Sequence, residues 1–195
     1  MNFIPLLENR QITTSVPCRL DFGGTLDIST FYMPLAHLKP ATFNLALDMR
    51  TQVTLSEWTE NRIKISSRGF ETIERGCRDK GVDNPMGLMF AIAQYFNAHR
   101  VHIHIESTSP PRSALGGSSS AAVAIIAAFY TALGKPIDRE HIAWLAHYLE
   151  SSVAGVPCGV QDQTAAAFGG VNLWEWTFSD TGPVFTKAPL YDTSK

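Results

Sequence analysis

The chain has 195 residues, of which 45% are hydrophobic and 17% are charged, with a formal net charge of −2. This composition is typical of a single globular domain with a substantial core. The charge balance excludes the strongly basic surface of a nucleic-acid-binding domain. The three cysteines, Cys18, Cys77 and Cys158, are far apart in the chain, which disfavours a disulfide framework or a zinc site and favours a cytoplasmic protein.

The sequence predicts no membrane segment. The N-terminus up to Arg10 lacks the basic flank and the long apolar core of a signal peptide. The most apolar run, residues 121–133, is well short of the ~20 residues that a membrane-spanning helix needs.

The first part of the chain predicts strands. Residues 13–22 form one strand that ends at a glycine pair, and residues 42–55 form a second. Residues 62–66 alternate isoleucine with polar side chains, which is typical of a half-buried strand. The mixed charges of residues 57–80 predict a solvated hairpin and loop.

A helix is expected next, and then a further strand. Pro85 suits the first helical position with Asn84 as its N-cap, and the helical spacing then places three apolar side chains on one face: Leu88, Ile92 and Tyr95. Residues 101–106 alternate strictly, which indicates a strand. Its two histidines, His102 and His104, share a face, but no Cys or carboxylate stands at ligand spacing, so we interpret them as solvated side chains rather than metal ligands.

Two more helices follow. One begins at Ser119 or Ser120 and ends near Gly134, and the next is capped by Asp138 and covers residues 139–152. The order of strands and helices predicts an α+β sandwich.

A glycine- and serine-rich loop lies between the strand at 101–106 and the following helix. Unpaired N–H groups and the dipole make a helix N-terminus a natural phosphate site, and glycines allow close backbone approach. The loop is neither a P-loop nor a dinucleotide-binding loop. The alternative is a helix start whose small residues serve close packing. Its sequence is Leu115-Gly116-Gly117-Ser118-Ser119-Ser120-Ala121-Ala122.

Asp162 stands among small residues, in Gly159-Val160-Gln161-Asp162-Gln163. A phosphate site together with a carboxylate base is the minimum for phosphoryl transfer to a hydroxyl. The alternative is that Asp162 caps a helix beginning near Gln163. Glu150, one helix earlier, could reach a metal ion, or it could be an exposed helical glutamate.

Three segments, in this order, resemble the motifs of the GHMP kinases. Residues 17–27 resemble the first, substrate-side motif. Residues 111–122 resemble the ATP-binding motif, although Ala114 stands where a glycine is common. Residues 150–170 resemble the acidic helix and the catalytic-aspartate segment. The resemblance covers about residues 16–173 and implies a two-layer sandwich like that of ribosomal protein S5 domain 2.

Within the family, the chain is most similar to the heptose-phosphate and fucose kinases. The shared features are Gly-Val-Gln-Asp-Gln before Ala-Ala-Ala-Phe-Gly-Gly, and Phe-Gly-Gly-Thr with a nearby aspartate. Galactokinases carry an acidic residue and a histidine where this chain has Thr25 and Leu26. The resemblance therefore implies ATP- and Mg²⁺-dependent phosphorylation of a hydroxyl of a sugar or sugar phosphate, with a heptose, fucose or a galactose-like sugar as the substrate and galactose itself disfavoured.

The resemblance also implies residue roles. Asp162 takes the proton of the sugar hydroxyl, and Arg19 beside it holds Asp162 ionised and braces the phosphoryl group. One of Ser119 and Ser120 binds Mg²⁺ together with Glu150. The sugar contacts are Asp27, Thr25, Gly159 and Gln161. The ATP contacts are Pro111, Leu115, Gly116, Gly117, Ser118, Ser119, Ser120 and Ala121.

GHMP kinases have a second domain with a further glycine-rich motif, for which we find no counterpart. We therefore expect residues 1–195 to be the N-terminal, ATP-binding domain, with the C-terminal domain absent. The alternative is a truncated, non-catalytic interaction module or one half of a split kinase, in which a partner chain or self-association covers the exposed apolar face. A small-alcohol kinase of the mevalonate or homoserine type is a further alternative, disfavoured by the Gln-Asp-Gln sequence.

Overall fold

The computed structural model describes Leu7 and residues 10–79, 81–111 and 113–191. Most of the N-terminal segment considered as a signal peptide lies outside these residues. Lys80, which ends the charged run, and Arg112 of the glycine-rich loop also lie outside them.

One seven-stranded sheet forms the first layer, in the order β4-β3-β5-β2-β6-β7, with β1 paired to β2. The pair β3–β5 is parallel, and the remaining described pairs are antiparallel. The long strand β2 pairs with β5 through its second half and with β6 through its first half. The strands are β1 (Ile12–Asp21), β2 (Ala41–Glu57), β3 (Arg62–Ser67), β4 (Ile73–Gly76), β5 (Val101–Ser107), β6 (Val171–Ser179) and β7 (Gly182–Tyr191).

Helices form the second layer, so the predicted two-layer α+β fold is confirmed. Within the described residues there are five α-helices and one 3-10 turn, Ala36–Leu38. The central helix α3 packs on β1 and β2 and contacts the other long helices. The helices are α1 (Ser29–Tyr32), α2 (Gly87–Tyr95), α3 (Gly117–Ala132), α4 (Arg139–Ala154) and α5 (Gln161–Phe168).

The core lies between the layers, as the alternation in the strands predicts. Alternate side chains of the central strands point toward the helices, and α3 contributes Ile125, Ile126 and Phe129, which are completely buried. The inward side chains of the sheet include Val53, Leu55, Ile63, Ile65, Val101, Ile103 and Ile105.

The opposite face of β5 carries His102 and His104, as predicted. Both rings are partly exposed, and a ring nitrogen of each lies within hydrogen-bonding distance of the Ser66 hydroxyl, at 2.7 and 2.8 Å. The part of the chain that the structure describes contains no group of three or more His, Cys, Asp or Glu side chains arranged for a metal ion. Nor does any described helix have the length and apolarity needed to cross a bilayer.

The prediction for α2 was partly wrong. The helix begins at Gly87 instead of Pro85, because the Asn84 side chain accepts a hydrogen bond from the Met86 N–H (2.8 Å) and holds the preceding residues in a turn. Leu88 and Ile92 are buried as expected, but Tyr95, the last residue of the helix, is 51% exposed.

The start of α3 was also misplaced, whereas the cap of α4 was correctly predicted. Gly116 has a φ of 72° and is the N-cap, so the helix includes all three serines. At the start of α4, the Asp138 carboxylate accepts a hydrogen bond from the His141 N–H at 3.1 Å.

Truncation of the core should be far more costly than truncation of the outer sheet face. We expect Ile103→Ala to lower the free energy of unfolding by about 2–5 kcal/mol, because it leaves a cavity under α3. Glu106→Ala, on the other face of β5 and 64% exposed, should cost less than about 1 kcal/mol. Urea denaturation measures both, and equal losses would contradict the assignment of the two faces.

Candidate active site

Asp162 and Arg19 form an ion pair between α5 and β1. The Arg19 Nε–H donates to Asp162 Oδ1 at 2.7 Å, and Nη2 lies 2.6 Å from the same oxygen. The two side chains are 14% and 25% exposed. The register of β1 on β2 shifts between Pro17 and Arg19. Such a bulge changes the direction in which the next side chain, that of Arg19, leaves the strand.

Asp162 is not the cap of its helix, so that alternative was wrong. The helix α5 begins at Gln161, its N-cap is Val160, and no side chain caps it there. Asp162 is the second helical residue, and its carboxylate turns to Arg19. Burial raises the pKa of the Asp162 carboxyl above its ordinary value, while the charge and hydrogen bonds of Arg19 lower it. Such a carboxylate is more basic than a free aspartate and better suited to accept a proton.

Arg19 also holds the glycine-rich loop against this pair. Its Nη1 donates to the Ala114 carbonyl at 2.7 Å, and its backbone N–H donates to the Leu115 carbonyl at 3.1 Å. A Cβ added at Gly116 would stand 3.4 Å from Asp162 Oδ2 and 3.5 Å from Arg19 Cγ. The carboxylate therefore lies beside the loop, although the two are distant in the sequence.

The N-terminus of α3 is open for an anion. A Cβ added at Gly117 would meet no atom within 4 Å, and Gly117 and Ser118 are exposed. No side-chain hydrogen bond caps this end of the helix. The first N–H groups of α3 are thus available to a phosphate.

The two candidate serines face different partners. The Ser119 hydroxyl donates to Glu150 Oε2 at 2.9 Å. The Ser120 hydroxyl donates to the Gly117 carbonyl at 3.0 Å and lies 2.9 Å from the Thr51 hydroxyl. Ser119 thus adjoins a carboxylate, whereas Ser120 belongs to a buried hydroxyl network.

Glu150 is half-buried, so the exposed-glutamate alternative was wrong. It also accepts a hydrogen bond from the Gln163 side-chain amide at 2.5 Å, and burial raises the pKa of its carboxyl. Oxygen ligands of this kind, a hydroxyl and a carboxylate, suit Mg²⁺. The other amide atom of Gln163, Oε1, is buried without a partner among the described atoms, so the site retains an unsatisfied oxygen beside Glu150.

A cavity of about 610 Å³ opens beside the loop. Its lining includes three apolar side chains that no pattern in the sequence marks, those of Phe70, Met86 and Met89. Of the residues predicted to contact ATP, those that line it are Pro111, Leu115, Gly117, Ser118 and Ala121. Gly116, Ser119 and Ser120 face the carboxylates or the core instead. A larger cavity, about 690 Å³, is lined by no residue of the segment 111–122, so the smaller one, which the glycine-rich loop lines, is the candidate nucleotide site.

The predicted sugar contacts differ in exposure: Asp27 and Gln161 are buried, Gly159 is half-buried and Thr25 is exposed. Thr25 is exposed, whereas Asp27 is 4% exposed and its Oδ2 accepts a hydrogen bond from the Gln161 N–H at 3.0 Å. The Gly159 carbonyl is 2.9 Å from His147 Nδ1. Sequence reasoning overlooked Asp21, whose Oδ2 accepts from the Gln161 side chain at 3.1 Å.

Comparison with known proteins agrees with this fold. Residues 86–170 match the family described as GHMP kinases N terminal domain. The predicted resemblance to the GHMP kinases is therefore confirmed over this segment of the chain.

Individual relatives are heptose kinases and other small-molecule kinases. A segment of 74 residues is 43% identical to D-glycero-alpha-D-manno-heptose 7-phosphate kinase of Campylobacter jejuni, covering 38% of this chain and 22% of that protein. A crystal structure of a D-glycero-D-manno-heptose 1-phosphate kinase from Bacteriodes thetaiotaomicron superposes with a TM-score of 0.77 at 24% identity. The Methanococcus jannaschii mevalonate kinase superposes with a TM-score of 0.70 at 14% identity.

These two structural matches establish the fold alone, because the identities are low. They cover 93% and 95% of this chain. The chain itself spans 60% and 57% of the two kinase chains.

Asp27 should give the protein a distinctive pH dependence. Burial raises its pKa from 3.8 to about 6, so the folded state holds this proton more tightly than the unfolded state. The resulting stabilisation is fully present below the unfolded pKa and is lost as the pH rises through about 6. Relative to wild type, Asp27→Asn should therefore gain about 2 kcal/mol in unfolding free energy between pH 4 and pH 7.

Urea denaturation at several pH values measures this difference. Asp48→Asn, at an exposed position, is the matched control and should follow the wild-type profile. A constant offset between Asp27→Asn and wild type across this range would contradict the raised pKa.

Proposed function

We propose that the chain is the ATP-binding domain of a kinase that phosphorylates a hydroxyl of a sugar or sugar phosphate. The observation that supports the proposal is the position of the Arg19–Asp162 pair beside Gly116, at the open N-terminus of α3. This position brings a carboxylate base next to a site suited to a phosphate. Phosphoryl transfer depends mainly on such positioning and on charge stabilisation.

Asp162 is proposed as the base. Both Arg19 contacts go to Oδ1, while Oδ2 is the atom nearest to a Cβ at Gly116. Oδ2 thus faces the phosphate site and can take the proton of the acceptor hydroxyl. Arg19 keeps the carboxylate ionised and places a positive charge where negative charge develops on the transferred group.

The nucleotide is proposed to occupy the 610 Å³ cavity, with its phosphates at Gly117 and Ser118. The apolar side chains in its lining suit a purine ring. Ser119 and Glu150 are proposed to hold Mg²⁺, which would neutralise charge on the phosphates when bound. The pairing of Ser119 with Glu150 favours Ser119 over Ser120 for this role.

The acceptor is proposed to be a heptose or a heptose phosphate. The support is the 43% identity to a heptose 7-phosphate kinase over 74 residues. We propose that the loop after β1, which belongs to the first motif, contacts the sugar. Thr25 is exposed on this loop. We also propose a reducing, cytoplasmic location, because Cys18, Cys77 and Cys158 are all free thiols.

A second domain or a partner chain is proposed to complete the substrate site, since the chain spans 60% or less of these kinases. One observation favours an interface next to the site. Leu20 and Phe22, close to Arg19, are 40% and 61% exposed, and Phe22 stacks on Phe43 with ring centroids 4.9 Å apart. An exposed apolar group of this kind suits association.

The kinase proposal predicts sugar-dependent ADP release that requires Asp162. The purified chain is assayed with Mg-ATP over hexoses, heptoses and their phosphates. Asp162→Asn should lower kcat by about 10²–10⁴ because it removes the base, and Asp48→Asn should match wild type. Full activity in a folded Asp162→Asn protein would overturn the assignment. A folded wild-type protein that shows neither sugar-dependent turnover nor Mg-ATP binding would favour the non-catalytic interaction module.

Substitution of Ser119 and substitution of Ser120 should affect Mg²⁺-dependent nucleotide binding differently. Ser119→Ala removes the hydroxyl beside Glu150 and should weaken the Mg²⁺-dependent part of fluorescent ATP-analogue binding at least roughly tenfold. Ser120→Ala, its neighbour and matched control, removes the contact with Thr51 and should mainly lower the melting temperature. The opposite pattern would move the Mg²⁺ ligand to Ser120.

A further inference from the structure

The helix that carries Asp162 begins without a local cap. Its N-cap is Val160, which has no side-chain hydrogen bond to the helix. The N–H of Gln161, the first helical residue, instead donates to Asp27 Oδ2 at 3.0 Å, across a separation of 134 residues. A carboxylate at this end of a helix is favoured both by the unpaired N–H groups and by the dipole. Asp27, on a loop distant in the sequence, therefore accepts the hydrogen bond that a local N-cap side chain would accept at this end of a helix.

The side chain of Gln161 also binds the segment that carries Asp27. Its side-chain Nε2 donates to Asp21 Oδ2 at 3.1 Å and to the Gly24 carbonyl at 2.9 Å. Gln161 is 7% exposed. Three donor–acceptor contacts thus connect the loop after β1 with a single residue next to Asp162.

Gly159 leaves the space that this arrangement needs. A Cβ built on Gly159 would stand 1.8 Å from Asp27 Oδ2 and 2.4 Å from its carboxyl carbon. Any side chain at position 159 would therefore displace the Asp27 carboxylate. The need for glycine here is one of space, because Gly159 is not among the glycines with positive φ.

We propose that Asp27, Gln161 and Gly159 form a clamp that positions Asp162 against Arg19, rather than a set of ligands for sugar hydroxyls. The catalytic meaning of the clamp rests on the proposed function of Asp162 as the base. Asp27 is 4% exposed and one of its oxygens is already bound, so it contributes to the reaction through the orientation of α5. Selection of the sugar falls to exposed groups of the same loop, such as Thr25.

Hydrogen exchange tests the clamp without reference to catalysis. Asp27→Ala removes the acceptor of the Gln161 N–H, so amide exchange in peptides covering residues 159–165 should become at least roughly tenfold faster. Asp27→Asn keeps an oxygen acceptor, and its exchange should stay within roughly threefold of wild type. Ser29→Ala, two residues away and exposed, is the matched control and should leave exchange unchanged.

Gln161→Met is the second variant, in case Asp27→Ala does not fold. It removes both contacts of the side-chain amide and leaves the carboxylate of Asp27 in place. Exchange of residues 21–27 should then accelerate at least roughly tenfold. Unchanged exchange in both segments of a folded variant would overturn the clamp.

Steady-state kinetics distinguishes a positioning role of Asp27 from a role in sugar binding. The substrate is the acceptor that gives turnover in the sugar panel. A clamp predicts that Asp27→Ala lowers kcat at least roughly tenfold, while Asp27→Asn restores it with little change in the KM of the sugar. A sugar ligand predicts that both substitutions raise that KM at least roughly tenfold, and this result would overturn the proposal. Faster exchange in Asp27→Ala, in a wild-type background that shows neither kinase activity nor Mg-ATP binding, would support the clamp and refute the proposed function.

Discussion

The ion pair between Arg19 and Asp162 is the contact on which the candidate site depends. Removing two charges from water is costly and is offset only by close, well-hydrogen-bonded geometry. Arg19 supplies that geometry by binding Asp162 Oδ1 twice and the Ala114 carbonyl once. One arginine therefore joins the edge of the sheet, the glycine-rich loop and the helix of the carboxylate. Because the pair holds the loop against Asp162, the phosphate site and the base form one site.

Partly or fully buried carboxyl groups are concentrated around this ion pair. Burial raises the pKa of three carboxyl groups, those of Asp27, Glu150 and Asp162. Arg19 compensates Asp162, and backbone N–H groups partly compensate Asp27. Glu150 receives hydrogen bonds from a hydroxyl and an amide but has no described cationic partner. A divalent cation would relieve the cost of its burial, which is the physical link between the fold and the Mg²⁺ proposal.

Sequence reasoning succeeded where a residue's environment follows from its immediate neighbours. The alternation at 62–66 and 101–106 correctly predicted which side chains of β3 and β5 enter the core, because a strand turns successive side chains to opposite faces. Helix starts were less accurate. The helices predicted at Ser119 or Ser120 and near Gln163 begin at Gly117 and Gln161, because caps came from glycine backbone geometry and from a distant carboxylate rather than from local Ser or Asp side chains.

The sequence by itself determined the two-layer fold and the resemblance to the GHMP kinases, because the motifs are local in the chain and alternation is a local property. Only the tertiary structure decided what each side chain faces. Ser119 meets Glu150 while Ser120 turns into the core, since adjacent helical residues point about 100° apart and the phase depends on the exact start of the helix. The partners of Asp27 were equally inaccessible to sequence reasoning. Its carboxylate meets the Gln161 N–H only because β1 and α5 pack together through Arg19 and the adjoining loop.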